Sequence, residues 1–313
     1  MTPVATYEKV VVVTRRTRLE ELIDRFNTRG QAKFYIEHAG GDFGEFEREH
    51  DTYHRSLDRL RRDVDFGLPR QIIDRNLVPT YTFGSHDVVV TLGQDGLVAN
   101  VAKYAGAQPI IGVNPDPERF DGVLLPFLPP DAKHATALVF DGTAAVRQVT
   151  LAAFRLDDGQ RLLAFNDLFI GTRTHTSARY RIGVGTAAEA QSSSGVLIST
   201  GAGSTGWMSS VFNMAAGITA FAGGAEASPI RFSWEDSRLM FAVREPFVSR
   251  HSAASIVAGW IEAGHEIVLE SLMPSGGVVF SDGIEADFLD FNAGAVGRVR
   301  TAPQRAMLVV PRS

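Results

Sequence analysis

Residues 87–96 of the chain read DVVVTLGQDG, an apolar β-branched run that leads into two glycines flanking an acid. A continuous run of this kind is typical of a strand that is buried on both faces of a parallel sheet. Residues 97–104 are predicted to be helical, and residues 109–113 form a further strand-like run. Strands that alternate with helices predict parallel pairing through right-handed crossovers. We therefore expect residues 93–96 beyond the carboxyl end of a strand, where such sheets bind ligands.

The sequence before residue 87 has the same alternation. Residues 10–13 are four consecutive valines, which predict another buried strand. Residues 18–26 have apolar side chains at helical spacing, and residues 45–64 predict a charge-rich helix. Residues 34–36 could form a short strand. This pattern favours a Rossmann-like α/β domain with a parallel sheet.

The character of the sequence changes at residues 126–130, which read PFLPP. Downstream, turn residues separate short alternating runs, the pattern of an antiparallel β-sandwich. These runs are residues 145–156, 162–170, 179–184, 195–199 and 266–271, and one helical segment at residues 204–218 interrupts them. We therefore predict an N-terminal α/β domain over residues 1–130, followed by a β-rich domain over residues 131–313. Residues 299–310 could return to the first domain.

The composition excludes several classes of function. The formal net charge of −5 argues against a general nucleic-acid binder, which would normally carry a basic excess. The absence of cysteine excludes disulfides and thiolate nucleophiles. No apolar run approaches the roughly 20 residues that span a bilayer. Residues 1–9 show neither a signal nor a transit peptide. We therefore expect a cytoplasmic protein with neither nucleic-acid nor membrane partners.

The glycine turn after the strand at residue 92 is the first candidate site. Gly93 and Gly96 would let backbone N–H groups approach a phosphate, and the following helix adds its positive end. Asp95 would repel that phosphate unless it holds Mg²⁺ or takes a proton from an attacking hydroxyl. The alternative is a structural turn in which Asp95 caps the next helix.

A second candidate is residues 199–207, STGAGSTGW. Spaced glycines, hydroxyl side chains and a helix start make a phosphate-binding turn plausible. The segment lacks the Gly-Lys-Ser/Thr ending of a Walker loop. Simple capping of the helix by Ser204 or Thr205 is the alternative reading.

A third candidate is Asn166 with Asp167, which stand within the apolar run FNDLFI at residues 165–170. Burying either side chain without a partner would cost about 1–3 kcal/mol per unsatisfied group. Polar partners are therefore required, and a ligand could supply them. The alternative is that the run is not a strand here and that Asn166 and Asp167 form a turn.

Taken together, these motifs resemble those of the NAD kinase family. The shared order is GxDG, an Asn-acid pair, TxxGSTxW and SDG, at residues 93–96, 166–167, 200–207 and 281–283. Further segments are similar to the mitochondrial-type branch and its bacterial relatives: residues 110–119, 165–171, 193–207 and 244–246. The correspondence runs from about residue 10 to about residue 310.

The resemblance implies an ATP- and Mg²⁺-dependent kinase that phosphorylates the 2′-hydroxyl of the adenosine ribose of NAD or NADH. It also implies that residues 1–130 form a nucleotide-binding domain and residues 131–313 an NAD-binding domain. Asp95 would be the catalytic residue that orients and deprotonates this hydroxyl. The implied nucleotide- and NAD-binding residues are Gly93, Gln94, Gly96, Asn114, Asp116, Asn166, Asp167, Thr200, Gly203, Ser204, Thr205, Gly206, Trp207 and Asp282. Mg²⁺ would be carried by ATP rather than by a metal site of the protein. The resemblance also implies a homo-oligomer, with a homodimer expected from the mitochondrial-type branch.

The chain departs from the family pattern at three places. Gln94 replaces a glycine of GGDG and would cost about 1 kcal/mol or more if that position required a positive φ; it could instead donate a hydrogen bond to phosphate. Asp167 stands for glutamate, and residues 205–207 replace the common Thr-Ala-Tyr. Two alternatives therefore stay open: a related kinase acting on a sugar or lipid hydroxyl, and a non-catalytic NAD(P)-binding regulator.

His50 and His54 lie four residues apart on the predicted charged helix, close enough to share a metal ion. No catalytic glutamate stands between them, so the sequence favours a solvated helix face over a metalloprotease-like site.

Overall fold

The computed structural model describes residues 7–224 and 228–312, so most of residues 1–9 lies outside the described part. The chain divides into two compact units. The first consists of Met1–Arg147 together with Met307–Ser313, and the second is Gln148–Ala306. None of the helices in the described part combines the length and hydropathy required of a bilayer span.

A parallel sheet forms the centre of the first unit. Its strands are β1 (Lys9–Thr14), β2 (Arg70–Asp74), β3 (Asp87–Leu92), β4 (Pro109–Val113) and the end of β16 (Val296–Val310). They lie in the order β2-β1-β3-β4-β16, and every neighbouring pair is parallel. Every residue of β3 is buried, as the valine run predicted.

Five α-helices accompany this sheet: α1 (Arg18–Phe26), α2 (Arg29–His38), α3 (Phe43–Asp63), α4 (Asp95–Ala102) and α5 (Ala132–Phe140). The predicted strand at residues 34–36 is wrong, because these residues lie inside α2. Thr28 caps this helix by accepting the N–H of Gln31, which commits the segment to helix. A three-residue apolar run carries too little periodicity to reveal this.

The division between the units falls later in the chain than residue 130. Pro129 opens a short 3-10 helix, Pro129–Asp131, which leads directly into α5. The apolar side of α5, Ala132 with Ala135 and Val139, belongs to the core of the first unit. The proline-rich stretch is therefore part of this unit's helical layer.

The second unit is a sandwich of two sheets. One contains β5 (Ala145–Leu156), β6 (Arg161–Ala164), β8 (Ala178–Val184), β9 (Ala187–Ser193), β13 (Ile267–Ser271) and the first part of β16. The other contains β7 (Asp167–Thr172), β10 (Val196–Ser199), β11 (Leu239–Val243), β12 (Ala258–Ile261), β14 (Gly277–Ser281) and β15 (Ile284–Asp290). Its order is β12-β11-β10-β7-β14-β15, with antiparallel neighbours throughout. The remaining helix, α6, spans Trp207–Phe221.

Inward-facing side chains of both sheets form one core. Phe154 and Tyr180 come from the first sheet, and Leu168 and Phe241 come from the second. The predicted class, a Rossmann-like α/β domain followed by an antiparallel sandwich, is therefore confirmed. The run at residues 162–170 proves to be two strands, β6 and β7, separated by a bend at residues 165–166.

Candidate functional site

The GQDG turn at residues 93–96 lies where β3 ends and α4 begins. Gly93 donates its N–H to Val113 O at 3.3 Å, and a Cβ here would come within 2.9 Å of Leu97 Cδ2. Gly96 is exposed, and a Cβ on it would meet no atom within 4 Å. Packing therefore explains why residue 93 is glycine, while the exposed backbone at Gly96 is open to a ligand.

Gln94 adopts φ −119° and ψ 164°, an extended conformation that any residue takes without strain. The position does not require a positive φ, so Gln94 does not carry the strain of about 1 kcal/mol that a positive φ would impose on it. Its side chain is exposed and makes no capping bond to α4. The amide is therefore available as a donor.

Asp95 is half-buried and is the first residue of α4. The residue before it occupies the N-cap position, so the alternative in which Asp95 caps the helix is wrong. Asp95 Oδ1 accepts the backbone N–H of Leu124 at 2.7 Å. Oδ2 makes no hydrogen bond to the described residues. The carboxylate is thus oriented through one oxygen while the other can meet a ligand or a proton.

The loop after β4 is organised by Asn114. Its Nδ2 donates to Phe120 O at 2.9 Å, and its Oδ1 accepts the N–H of Asp116 at 3.0 Å. Asn114 is buried, so its observed role is to shape the loop. The Asp116 carboxylate pairs with Arg119 at 3.6 Å.

Tyr53 of α3 supports the same end of the sheet. Its hydroxyl accepts the N–H of Arg15 at 2.9 Å and donates to Leu92 O at 3.1 Å, immediately before the GQDG turn. Burial raises the pKa of Tyr53 to about 12, so the hydroxyl keeps its donor proton. Ser56, one turn further along α3, donates to Pro115 O at 3.1 Å. Tyr53 was not predicted as a site residue, because in the sequence it is simply one position of the predicted helix at residues 45–64.

In the second unit, Asp282 holds the bend that precedes β7. Its carboxylate accepts the backbone N–H groups of Phe165, Asn166 and Asp167 at 3.0, 2.6 and 3.2 Å. Its own N–H donates to Asp167 O at 2.9 Å, and its backbone is left-handed at φ 54°. Asp282 therefore positions the Asn-Asp pair.

Asp167 is the most perturbed carboxyl of this group. It is buried, and its Oδ1 has no hydrogen-bond partner. Burial is the largest cause that raises the pKa of Asp167 to about 8; the Ser199 hydroxyl opposes the shift and the charge of Asp282 adds to it. The carboxyl is therefore mostly protonated at neutral pH and can act as a donor as well as an acceptor.

The turn that follows β10 packs against this bend. Thr200 Oγ1 donates to Phe165 O at 2.6 Å and accepts the N–H of Gly203 at 3.2 Å. A Cβ on Gly203 would press into Asn166 O, so only glycine fits there. Ser204 is buried and donates to Gly201 O at 2.7 Å.

Helix α6 begins after Gly206 without a side-chain cap, so capping of α6 by Ser204 or Thr205 is wrong. Thr205 is exposed in the short 3-10 helix Gly203–Thr205. Trp207 opens α6, and its ring stacks on Phe169 with centroids 5.5 Å apart and planes 14° apart.

Trp207 also borders a cavity of about 520 Å³ in the second unit. Phe280 lies on the same side, with its centroid 6.5 Å from that of Trp207. The Arg244 guanidinium lies 5.4 Å from the Trp207 ring centroid. Stacked rings beside a cation form a surface suited to a planar group that carries negative charge nearby. Trp207 is among the residues predicted from the sequence, whereas Phe169 and Phe280 are not, because phenylalanines within apolar runs are also typical of a core.

The structure thus gathers the predicted residues into two sets, one in each unit. The first set lies at the ends of β3 and β4: Gly93, Gln94, Asp95, Gly96, Asn114 and Asp116. The second surrounds the bend before β7 and the start of α6: Asn166, Asp167, Thr200, Gly203, Ser204, Thr205, Gly206, Trp207 and Asp282.

No model of a known protein family matches the sequence, and no curated protein matches it. Solved structures, in contrast, are similar to this one. The yeast NADH kinase complexed with NADH is similar with a TM-score of 0.56 and 16% identity, over 98% of this chain and 84% of that one. An NAD kinase from Archaeoglobus fulgidus in complex with ATP gives a TM-score of 0.54 and 15% identity, over 96% of this chain and 93% of that one. At such identities the likeness establishes a common fold.

Proposed function

We propose that this chain is an NAD kinase, which transfers the γ-phosphoryl group of ATP to the 2′-hydroxyl of the adenosine ribose of NAD or NADH. The order of its motifs and the fold it shares with solved NAD and NADH kinases support this function. The observation that carries the proposal is Asp95: an oriented carboxylate with one unbonded oxygen, at the carboxyl end of a parallel strand and between two glycines.

Asp95 would act as the general base. The Leu124 N–H fixes one of its oxygens, and the other would accept the proton of the attacking ribose hydroxyl. The open backbone at Gly96 and the start of α4 would face the phosphates of ATP. Mg²⁺ carried by ATP would neutralise the charge on the phosphates. Phosphoryl transfer then needs positioning rather than covalent chemistry by the protein.

The residues of the second unit would hold the dinucleotide. Asn166 and Asp167 would bind ribose hydroxyls, and such a hydroxyl would give Asp167 Oδ1 the partner it lacks. Trp207 would stack on a base. Asp282 and Thr200 would act through the backbone that they hold in place.

A coupled assay with ATP, Mg²⁺ and NAD tests the proposal by measuring NADP formation. We expect Asp95→Asn to lower kcat by roughly 10²-fold or more, because general-base catalysis is typically worth 10²–10⁴-fold. NAD binding, measured by calorimetry, should persist. Asp141→Asn, an exposed acid of the same unit, is the matched control and should leave kcat unchanged.

Two results would contradict NAD kinase activity. Wild-type protein that binds NAD without turnover would be the non-catalytic regulator, and protein that does not bind NAD would be a kinase for another hydroxyl. Gln94→Gly refines the mechanism. Because Gln94 is unstrained and exposed, we expect unchanged folding and a lower kcat if its amide contacts phosphate; a higher kcat would mean that the side chain obstructs.

We further propose, from the composition and the family resemblance, that the protein acts in the cytoplasm as a homodimer on small-molecule nucleotides. Light scattering after size-exclusion chromatography measures the molar mass directly, and twice the chain mass of 34.0 kDa is the expected value.

A further inference from the structure

A cluster of possible metal ligands lies in the first unit and involves none of the proposed nucleotide-binding residues. Glu20 of α1 meets His50 and His54 of α3, and their ligand atoms all lie within 4.8 Å of one another. His54 Nε2 is 3.0 Å from Glu20 Oε1, and the two imidazole centroids are 4.3 Å apart. Helix spacing places the histidines on one face, and the third group arrives from a different helix.

These distances suit a first-row transition ion. Zn²⁺ binds imidazole nitrogen and carboxylate oxygen at about 2.0–2.2 Å, which places ligand atoms roughly 3.4 Å apart around a tetrahedral ion. Donors that already lie within 4.8 Å need only small side-chain rotations to reach this spacing. Two histidines with one carboxylate also form a ligand set that Zn²⁺ favours.

The surrounding contacts orient the ligands. Glu20 Oε2 accepts the backbone N–H of Thr17 at 2.7 Å, while Oε1 faces His54. His50 Nδ1 contacts the Thr17 hydroxyl at 2.9 Å, which holds the His50 ring beside Glu20 and His54. Such secondary contacts are what fix metal-binding histidines in proteins.

We propose that Glu20, His50 and His54 form a binding site for a divalent ion of the zinc class, which links α1 to α3. The side chains of His54 and Glu20 are 40% and 34% exposed, so an ion can enter from solvent and a water can complete its coordination. In the absence of metal, the same groups are held by the hydrogen bonds described above.

The site would have a structural role. Helix α3 holds the strand end before the GQDG turn through Tyr53 and the neighbouring loop through Ser56. An ion between α1 and α3 would stabilise the helix pair to which these residues belong. Metal binding is measured directly, without a kinase assay. A protein that binds no metal would therefore leave the proposed kinase function uncontradicted.

The test is a zinc competition titration of the full-length protein against a chromogenic chelator. We expect one tight Zn²⁺ per chain. His54→Gln and Glu20→Gln should each weaken binding by at least about tenfold, because each removes a ligand. Glutamine at residue 20 can still take part in a capping box, which keeps α1 intact. His134→Gln, an exposed histidine of α5, is the matched control and should bind Zn²⁺ like the wild type.

A second readout separates a three-ligand site from adventitious binding by a histidine pair. Co²⁺ bound by the wild type should give the visible absorption of a four-coordinate complex, and Glu20→Gln should abolish it. Zn²⁺ should also raise the Tm of the wild type but not of His54→Gln. Binding that survives His54→Gln, or that is indifferent to Glu20→Gln, would overturn the proposal, as would a wild type that binds no Zn²⁺.

Discussion

Replacing Asp167 by asparagine should change how the stability of the second unit depends on pH. In the folded protein, burial raises the pKa of this carboxyl to about 8, whereas its ordinary value is 3.8. Between these values the folded state holds a proton that the unfolded state has released. Stability therefore falls as pH rises from about 4 to about 8, because the folded state binds more protons than the unfolded state.

The slope of stability against pH follows from the one proton that Asp167 holds in the folded state and releases on unfolding. A difference of one bound proton changes the free energy of unfolding by about 1.4 kcal/mol per pH unit. From pH 5.5 to pH 7.5 the wild type should lose about 2–3 kcal/mol relative to Asp167→Asn, whose amide does not titrate. This slope requires only that the two pKa values bracket the measured range.

Urea unfolding at pH 5.5, 6.5 and 7.5, followed by tryptophan fluorescence, measures the effect. All three tryptophans lie in the second unit, at Trp207, Trp234 and Trp260. Asp158→Asn is the control: hydrogen bonds from Gln160 hold the pKa of Asp158 below its usual range, so it is ionised in both states and should add no slope. Parallel curves for the wild type and Asp167→Asn would refute the reasoning, because Asp167 would then be ionised when folded.

Two further substitutions, with one control, test the packing and hydrogen bonding around the candidate sites. Gly203→Ala should destabilise the second unit by at least about 2 kcal/mol, because the new Cβ would press on the Asn166 carbonyl; thermal unfolding measures this. Gly217→Ala, on an open helical surface, should instead be neutral or stabilise by up to about 1 kcal/mol. Tyr53→Phe should cost about 1–3 kcal/mol in urea unfolding, because it leaves the buried Leu92 carbonyl unpaired; an unchanged midpoint would show that this hydroxyl contributes nothing.

Much of the first unit could be predicted because its strands are buried on both faces. A strand such as β3 carries apolar side chains on both faces, and the resulting valine run is visible in the sequence. The location of the GQDG turn follows from the same rule, since ligand-binding turns lie beyond the carboxyl ends of parallel strands. In the first unit, the local sequence pattern and the position of each strand in the fold therefore lead to the same prediction.

The roles of individual polar residues could not be predicted, because they depend on contacts distant in sequence. Asp282 bonds backbone N–H groups more than 110 positions earlier in the chain, so its function in holding the bend is invisible in its own SDG turn. Glu20 and His54 lie 34 residues apart and meet only because α1 and α3 pack together. The sequence alone likewise does not show that Gln94 is unstrained, because this depends on its φ in the folded chain.

Strand β16 has a consequence for biosynthesis. Its residues Met307 and Leu308 pair with Pro109 and Ile110 of β4, so the first unit draws its fifth strand from chain that emerges after the entire second unit. During translation, the edge of β4 that later pairs with β16 therefore keeps unpaired backbone N–H and C=O groups until residue 307 has been synthesised. Unpaired strand edges are the part of a sheet most prone to aberrant association. Nascent chains stalled before residue 307 should consequently rely on holding chaperones more than the released protein does.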